Sequence, residues 1–598
     1  VREYSVPAIG AVADEESLTD MVWANAERFA DAVAFRRRVD GSWIDVTTAE
    51  FAQQVAAVAK GLIGSGLRAG DRVALLSRTR YEWTLLDFAI WAAGCVTVPV
   101  YETSSAEQIA WILGDSGARA VVVETEAHRH TVEQVVDRLA EVEHVWQIEP
   151  GGELDAAVDE LTAAGAGVSD KAAHERRLAV RSSDTATLVY TSGTTGRPKG
   201  VELTHRNLLA EIRADIAAFP QLMRPSNAML VFLPLAHVFA RAIALCCVYS
   251  RTTLGHLPDV RDLVADLATF RPSFIVAVPR VFEKVYNSAK QRAHAAGRGR
   301  VFDLAEELAV EYSTALDGPG PSLALKARRA AASKVVYSRL RAVLGGRCVA
   351  AISGSAPLGD HLAHFFRGVG VPVYEGYGLT ETSAAICVNT EQAFRVGTVG
   401  KPVAGASVRI ADDGEILLSG EMVFRGYWRN PAATAEVLDD GWLRTGDLGA
   451  LDDEGFLRIT GRKKDIIVTA GGKNVAPAVL EDRVRRHPLV SQCVVVGDRQ
   501  PFVGALVTLD PDFVSVWAAS HGKQVAVADL VDDPDLRAEI QTAVDEANRA
   551  VSKAESIREF VILPRDFTEA AGEVTPSMKV RREAITKAYA EEIAALYG

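Results

Sequence analysis

The chain has 598 residues, 48% hydrophobic and 24% charged, which fits a globular protein of several domains and excludes long disordered or collagen-like stretches. Lys plus Arg number 65 against 78 Asp plus Glu, so a net charge of −13 leaves no general basic field and argues against nucleic acid as a partner. Six cysteines without a CxxC pair or regular spacing suggest neither a disulfide framework nor a zinc site, and point to the reducing cytoplasm.

Residues 1–10 lack the apolar run and small-residue cleavage site of a signal peptide, so secretion is not expected. Between 72 and 148, apolar runs at 73–76, 96–101 and 121–123 alternate with helical stretches at 83–93 and 106–113, the rhythm of βαβ units and a parallel sheet. The segment 151–177 is rich in Ala, Gly and Asp with weak periodicity and reads as a surface excursion. A second alternating stretch covers 186–373. Its most apolar window, 229–249, is interrupted by Pro234, His237 and Arg241, which makes it buried core rather than a membrane span. Residues 281–344 read as mainly helical, broken at 297–300 and 317–321.

Past Thr460 short strands (493–496, 504–509, 560–563) surround one marked helix, which opens on Asp533-Pro534 and repeats Leu536, Ile540, Val544 and Val551 at helical spacing. The chain thus divides into a large N-terminal α/β part and a small α+β C-terminal domain.

The most informative stretch is Tyr190-Thr-Ser-Gly-Thr-Thr-Gly-Arg-Pro-Lys-Gly200, directly after an apolar strand. Gly193 and Gly196 let backbone N–H groups converge and Thr194 and Thr195 add hydroxyls, which makes an anion cradle. It is not a Walker A loop, because Pro198 precedes Lys199 and no Gly-Lys-Ser/Thr opens a helix.

This stretch resembles the signature of the adenylate-forming superfamily of acyl-CoA synthetases, peptide-synthetase adenylation domains and luciferases. Further matches follow in order: Tyr374-Glu-Gly-Tyr-Gly-Leu-Thr-Glu381, Gly441-Trp-Leu-Arg-Thr-Gly-Asp447, Gly461-Arg-Lys-Lys-Asp465, Gly471-Gly-Lys-Asn474 and Gly572-Glu-Val-Thr-Pro-Ser-Met-Lys579. The resemblance implies an acyl-CoA synthetase-like fold, with an N-terminal adenylation domain at 1–463 and a mobile C-terminal domain at 464–598. It implies an ATP site built from Thr191, Ser192, Gly193, Thr194, Thr195, Gly196, Lys199, Gly354, Ser355, Glu375, Gly376, Tyr377, Gly378, Thr380, Asp447 and Arg462. Within it Lys579 would bridge the carboxylate and α-phosphate oxygens, and Glu381 with Thr191 would hold Mg²⁺. Asp447 would take the ribose hydroxyls, Tyr377 would stack on adenine, and Arg462 would reach the ribose or α-phosphate. His237 would line the acyl and adenylate pocket. Some relatives carry an aromatic gate to the acyl tunnel four residues further on; Arg241 stands there, so a charged gate or another device is expected. Lys464 would be the hinge about which the C-terminal domain turns, bringing Gly471, Gly472 and Lys473 to coenzyme A as Lys579 leaves.

Val278-Pro-Arg-Val-Phe-Glu-Lys284 and the long helical region after it resemble the long-chain fatty acyl-CoA ligases. The reading is therefore ATP-dependent activation of long-chain fatty acids to acyl-CoA through acyl-AMP, with Mg²⁺, ATP and coenzyme A as cofactor and co-substrates. The alternatives are a fatty acyl-AMP ligase serving a carrier protein, a luciferase-like oxidative enzyme, and a non-catalytic binding protein. The basic cluster Arg292, Arg298, Arg300, Lys326, Arg328, Arg329 and Lys334 reads as a solvated helix face or as a peripheral contact with anionic membrane. Nothing in the sequence specifies an oligomeric state.

Overall fold

The computed structural model describes residues 1–151, 156–191, 197–261, 263–523, 526–575 and 578–598. The expected parallel strands form: Arg72–Leu76 lies between Val96–Val100 and Ala118–Val123, and His144–Gln147 follows on the outside. Thr185–Thr191 joins in parallel beside Val96–Val100, and Lys199–Thr204 turns back antiparallel on it. Every residue of Val96–Val100 is buried, as a parallel strand covered on both faces requires.

A second sheet has six parallel strands in the order Val373–Gly378, Ala350–Ser353, Phe274–Ala277, Ala228–Val231, Thr253–His256 and Val33–Val39. The helix Tyr81–Ala92 is buried at every position but Glu82, within one core that draws on both sheets (Val73 and Ala186 with Met229 and Phe274). A helix apolar on all sides needs such a position. A third, antiparallel sheet contains Trp442–Leu451 and Leu457–Arg462, which present Asp447 and Arg462 directly opposite each other.

The C-terminal part has its own core around Val490–Val496, Val503–Leu509 and Ile557–Ile562. The helix Pro534–Asn548 is capped by the Asp533 carboxylate, which accepts from the N–H groups of Asp535 and Leu536. Val551 falls beyond its end, contrary to the periodicity, though it still packs on the same core. The small part is fastened to the large one by Arg280, whose Nη2 lies 2.6 Å from Asp510 Oδ2, and by the Thr103 hydroxyl, which donates to Glu569.

Two expectations change. The segment 151–177 is not merely an excursion, since Ala157–Ala164 and Asp170–Leu178 are helices and Ala157 and Leu161 are fully buried. The close fit is glycine-made: a Cβ on Gly61 would stand 1.9 Å from the Leu161 carbonyl oxygen. Short helices with so few apolar residues leave little periodic signal. The region 281–344 is helical and broken as expected, but Ser333–Tyr337 widens into a π turn that no pattern announced. Window 229–249 is core, and among the described residues no helix is long and apolar enough to cross a membrane.

Candidate active site

The resembling motifs converge where the parallel strands end at their carboxyl termini, the usual ligand crevice of an open α/β sheet. Thr191 is the last residue of its strand and faces Lys199 across a hairpin, so the cradle joins two antiparallel strands rather than a strand and a helix. Ser192, Gly193, Thr194, Thr195 and Gly196 lie outside the described residues. Lys199 Nζ sits 5.1 Å from the centre of the Tyr427 ring, and Tyr427 donates at 2.8 Å to Glu381 Oε1. Burial first, then the charge of Glu381, raises the Tyr427 phenol above its ordinary range, so it stays a donor. One Glu381 oxygen is thereby oriented, and the other could accept a cation. Tyr427 carried no sequence signal; only the fold brings it here.

Gly376 and Gly378 are in the strand Val373–Gly378, and Gly378 is required by contact: a Cβ there would lie 1.6 Å from the Ala384 carbonyl oxygen. Thr380 opens the short 3₁₀ turn Thr380–Thr382 that presents Glu381. Glu375 turns its Oε1 to the Leu358 N–H at 2.9 Å, bracing the loop that holds Gly354 and Ser355. Burial pushes its carboxyl up to about 7. Ser355 adopts φ +73°, uncommon for a residue with a Cβ, and a Cβ on Gly354 would press on the Phe239 ring at 3.3 Å.

Asp447 is 4% exposed and already ordered on both oxygens: Tyr377 Oη donates to Oδ2 at 2.6 Å, and Arg462 Nε lies 3.0 Å from Oδ1. A carboxylate has about four lone-pair sites, so a diol can still be accepted.

His237 caps the helix Val238–Ser250, its Nδ1 accepting from the Phe239 N–H at 3.2 Å. Burial first, then the Lys579 cation, pushes the imidazolium down to about 3, so the ring is neutral and its proton sits on Nε2. It is a neutral hydrogen-bond donor, not an acid. Arg241, one turn on, corrects the expectation of a charged gate. It is 3% exposed, clamps Asp87 with Nη2 at 2.6 Å and Nε at 2.8 Å, donates to Thr187 Oγ1 at 2.8 Å, and lies near the rings of Trp83 and Trp91. A side chain so engaged is structural; it ties the helix behind His237 to the strand that leads to Thr191.

Lys579 comes from the C-terminal part into this crevice. Burial lowers its ammonium pKa first and Arg462 adds to the effect, while Asp447 and Glu381 oppose it, so these four charges share one site. A small hairpin presents it: Lys579 N donates to Thr575 Oγ1 at 3.0 Å and the Thr575 N–H to the Lys579 carbonyl at 2.8 Å. Beneath the hairpin Glu573, 1% exposed, takes Arg565 at 2.6 and 2.7 Å, the Thr568 N–H at 3.0 Å and Tyr589 Oη at 3.0 Å. Glu573→Ala is expected to cost about 1–3 kcal/mol by stranding these donors. It should also raise amide exchange at Val574 and Val580 and slow the step that needs Lys579; unchanged exchange would show that the hairpin holds itself.

Lys464 lies in the turn Lys463–Asp465 between the parts. Gly471, Gly472 and Lys473 are exposed on the hairpin joining Ile467–Val468 to Asn474–Val475, and Lys473 Nζ is 3.6 Å from Glu555 of the same small part. The arrangement thus gathers Lys579, but not this glycine loop, with Glu381, Asp447, Arg462 and His237.

Residues 22–428 match the AMP-binding enzyme family, and residues 464–598 match the AMP-binding enzyme C-terminal domain. Over 599 residues the chain is 53% identical to long-chain-fatty-acid CoA ligase FadD15 of Mycobacterium tuberculosis, covering 100% of both. It is 30% identical over 608 residues to long-chain-fatty-acid CoA ligase ACSBG2 of Xenopus laevis, covering 95% of this chain and 82% of that one. In fold it is similar to the anthranilate CoA ligase AuaEII crystallised with anthranoyl-AMP, with TM-score 0.73, 20% identity and coverage of 98% and 99%.

Proposed function

The chain belongs to the AMP-binding enzyme family, and from that premise we propose that it is an ATP- and Mg²⁺-dependent long-chain fatty acid:CoA ligase that works through acyl-AMP. The observation that carries the reading is that Tyr377 and Arg462 order Asp447 and Tyr427 orders Glu381, within electrostatic reach of Lys579. Full-length similarity to a long-chain ligase supports the choice of acid and acceptor.

A carboxylate is a poor electrophile, so its oxygen attacks the α-phosphorus of ATP, the α–β bridge breaks, and acyl-AMP and pyrophosphate result. Negative charge gathers between the two reactants, and fixed cations there lower the barrier. Lys579 supplies one such charge and Arg462 a second. Asp447 and Tyr377 hold the nucleoside, and neutral His237 donates from Nε2 toward the acyl oxygen. Glu381, with Thr191 as companion, would hold Mg²⁺, which would supply positive charge against the ATP phosphates. Among the described residues no cluster of three His, Cys, Asp or Glu could hold a metal, which suits an ion that keeps water and phosphate ligands. A thiol of coenzyme A then attacks the acyl carbon and AMP leaves. For that step the domain beyond Lys464, residues 464–598, turns to remove Lys579 and bring in Gly471, Gly472 and Lys473. All six cysteines are buried and free, which supports action in the cytoplasm.

Mass spectrometry of products from Mg-ATP and a mixed fatty-acid pool, with and without coenzyme A, tests the reading. Acyl-CoA formed chiefly from the long acids is expected; acyl-AMP that persists with coenzyme A present would overturn it.

A further inference from the structure

The stretch Val278-Pro-Arg-Val-Phe-Glu-Lys284 takes no part in the chemistry of the crevice, yet it breaks a local rule. It opens the helix Pro279–Ala295, and Arg280 stands in the first turn beside Pro279. A cation at that end opposes the helix dipole, so its contacts must offset the mismatch. Those contacts reach out of the large part. Arg280 Nη2 lies 2.6 Å from Asp510 Oδ2 and 3.5 Å from Ser491 Oγ, both in the small part, while Nη1 lies 3.1 Å from Glu283 Oε2 on its own helix. Asp510 is 3% exposed and uses its other oxygen to cap the helix Pro511–Ser520, accepting from the Asp512 N–H at 3.1 Å. The charges cross the same seam in the opposite sense as well: Arg485 of the small part, bonded to Asp482, lies within electrostatic reach of Glu283.

Both ends of the Arg280–Asp510 pair bear on Lys579. The strand Phe274–Ala277, which leads into Arg280, pairs in parallel with Ala350–Ser353, the strand that runs to Gly354 and Ser355. Asp510 directly follows the strand Val503–Leu509, and Leu506 of that strand shares a core with Val574 and Val580, which are bridged at the foot of the Lys579 hairpin. One packed body thus carries both Asp510 and Lys579. A turn about Lys464 that takes Lys579 from the crevice therefore parts Asp510 from Arg280. Arg280 would then keep Glu283, and Asp510 would keep the N–H groups of its helix and gain water.

We propose that Arg280 is a positioning residue for the first half-reaction: its pair with Asp510 holds the small part where Lys579 reaches the crevice, and breaks as the thiol step begins. Arg280 acts through the body that carries Lys579 and not on the reactants. The assignment rests on the ligase reading and its turn about Lys464.

The test measures the two half-reactions apart, acyl-AMP formation by pyrophosphate release and acyl-CoA formation from supplied acyl-AMP at subsaturating coenzyme A, and takes the ratio of their rates. Arg280→Met and Asp510→Asn should each lower that ratio about tenfold, the scale of one interaction acting on a two-state equilibrium. Asparagine also caps helices, so Asp510→Asn removes the ion pair and keeps the cap. Arg280→Lys, which retains a cation, should hold most of the wild-type ratio. The double variant Arg280→Met/Asp510→Asn should fall no further than either single one, since the two groups make one interaction. A ratio that stays at its wild-type value in both single variants, whether the two rates hold or drop together, would overturn the proposal, as would a double variant whose fall is the product of the single ones. A readout free of turnover comes from spin labels on Leu304→Cys and Val516→Cys, 66% and 51% exposed on the large and the small part, in a chain whose own cysteines are buried. Arg280→Met should populate a second distance between the labels; an unchanged distribution would contradict the tether. A wild-type chain that makes no acyl-AMP, while its labels still respond to Arg280→Met, would count against the ligase reading and leave the tether standing.

Discussion

Lys579→Gln is expected to slow acyl-AMP formation by about 10²–10³-fold, the scale of losing one preorganised charge from a developing anion. Thioester formation from supplied acyl-AMP should be unchanged. Lys579 lies within electrostatic reach of Arg462, Asp447 and Glu381 while the Gly471–Gly472–Lys473 loop lies on the surface, the arrangement proposed for the first half-reaction. Lys579→Arg keeps the charge but replaces a compact ammonium by a broad planar fork, and should restore little. Pyrophosphate release and AMP release, followed separately, read the two halves. Equal losses in both would contradict the division of labour.

The second large effect is on stability. Arg241→Met should destabilise the protein by about 3–5 kcal/mol, because it leaves the carboxylate of Asp87, 1% exposed, with only the Thr97 hydroxyl and no cation in the core. Burial already holds Asp87 above the usual carboxylate range, with Arg241 opposing the shift. Removing Arg241 lets the folded-state pKa rise further above the unfolded value. Stability from such a group is present at low pH and lost as pH rises through the folded pKa, so the deficit of the variant should grow from acid toward neutral pH. Arg241→Met/Asp87→Leu should recover much of the loss, as replacing both members of a buried pair often does. Urea unfolding at several pH values measures this. A variant of unchanged stability but altered acyl-chain preference would instead restore the gate that its place in the sequence suggested.

How far the sequence spoke depended on the range of each interaction. The parallel strands at 72–148 and the Asp533-capped helix were readable because strand alternation and end-capping are local. The helices within 151–177 were not, because two buried residues and a glycine contact across to Gly61 leave no periodic trace. At the site, the motifs named Glu381, Asp447 and Lys579, yet the groups that orient them come from distant segments. Tyr427 reaches Glu381, and Arg565 with Tyr589 braces Glu573 below Lys579. Arg241 shows the reverse: its position implied a gate, and only its contacts with Asp87, Thr187 and two tryptophans reveal a structural clamp.

The central claim is that the carboxylate attacks the α-phosphorus of ATP, and isotope transfer tests it most directly. A long-chain acid labelled with ¹⁸O in both carboxyl oxygens, turned over with Mg-ATP and coenzyme A, should yield AMP carrying one ¹⁸O, because the bridging oxygen stays on phosphorus when the thiol takes the acyl carbon. Unlabelled AMP, or label in inorganic phosphate beside ADP, would contradict the account.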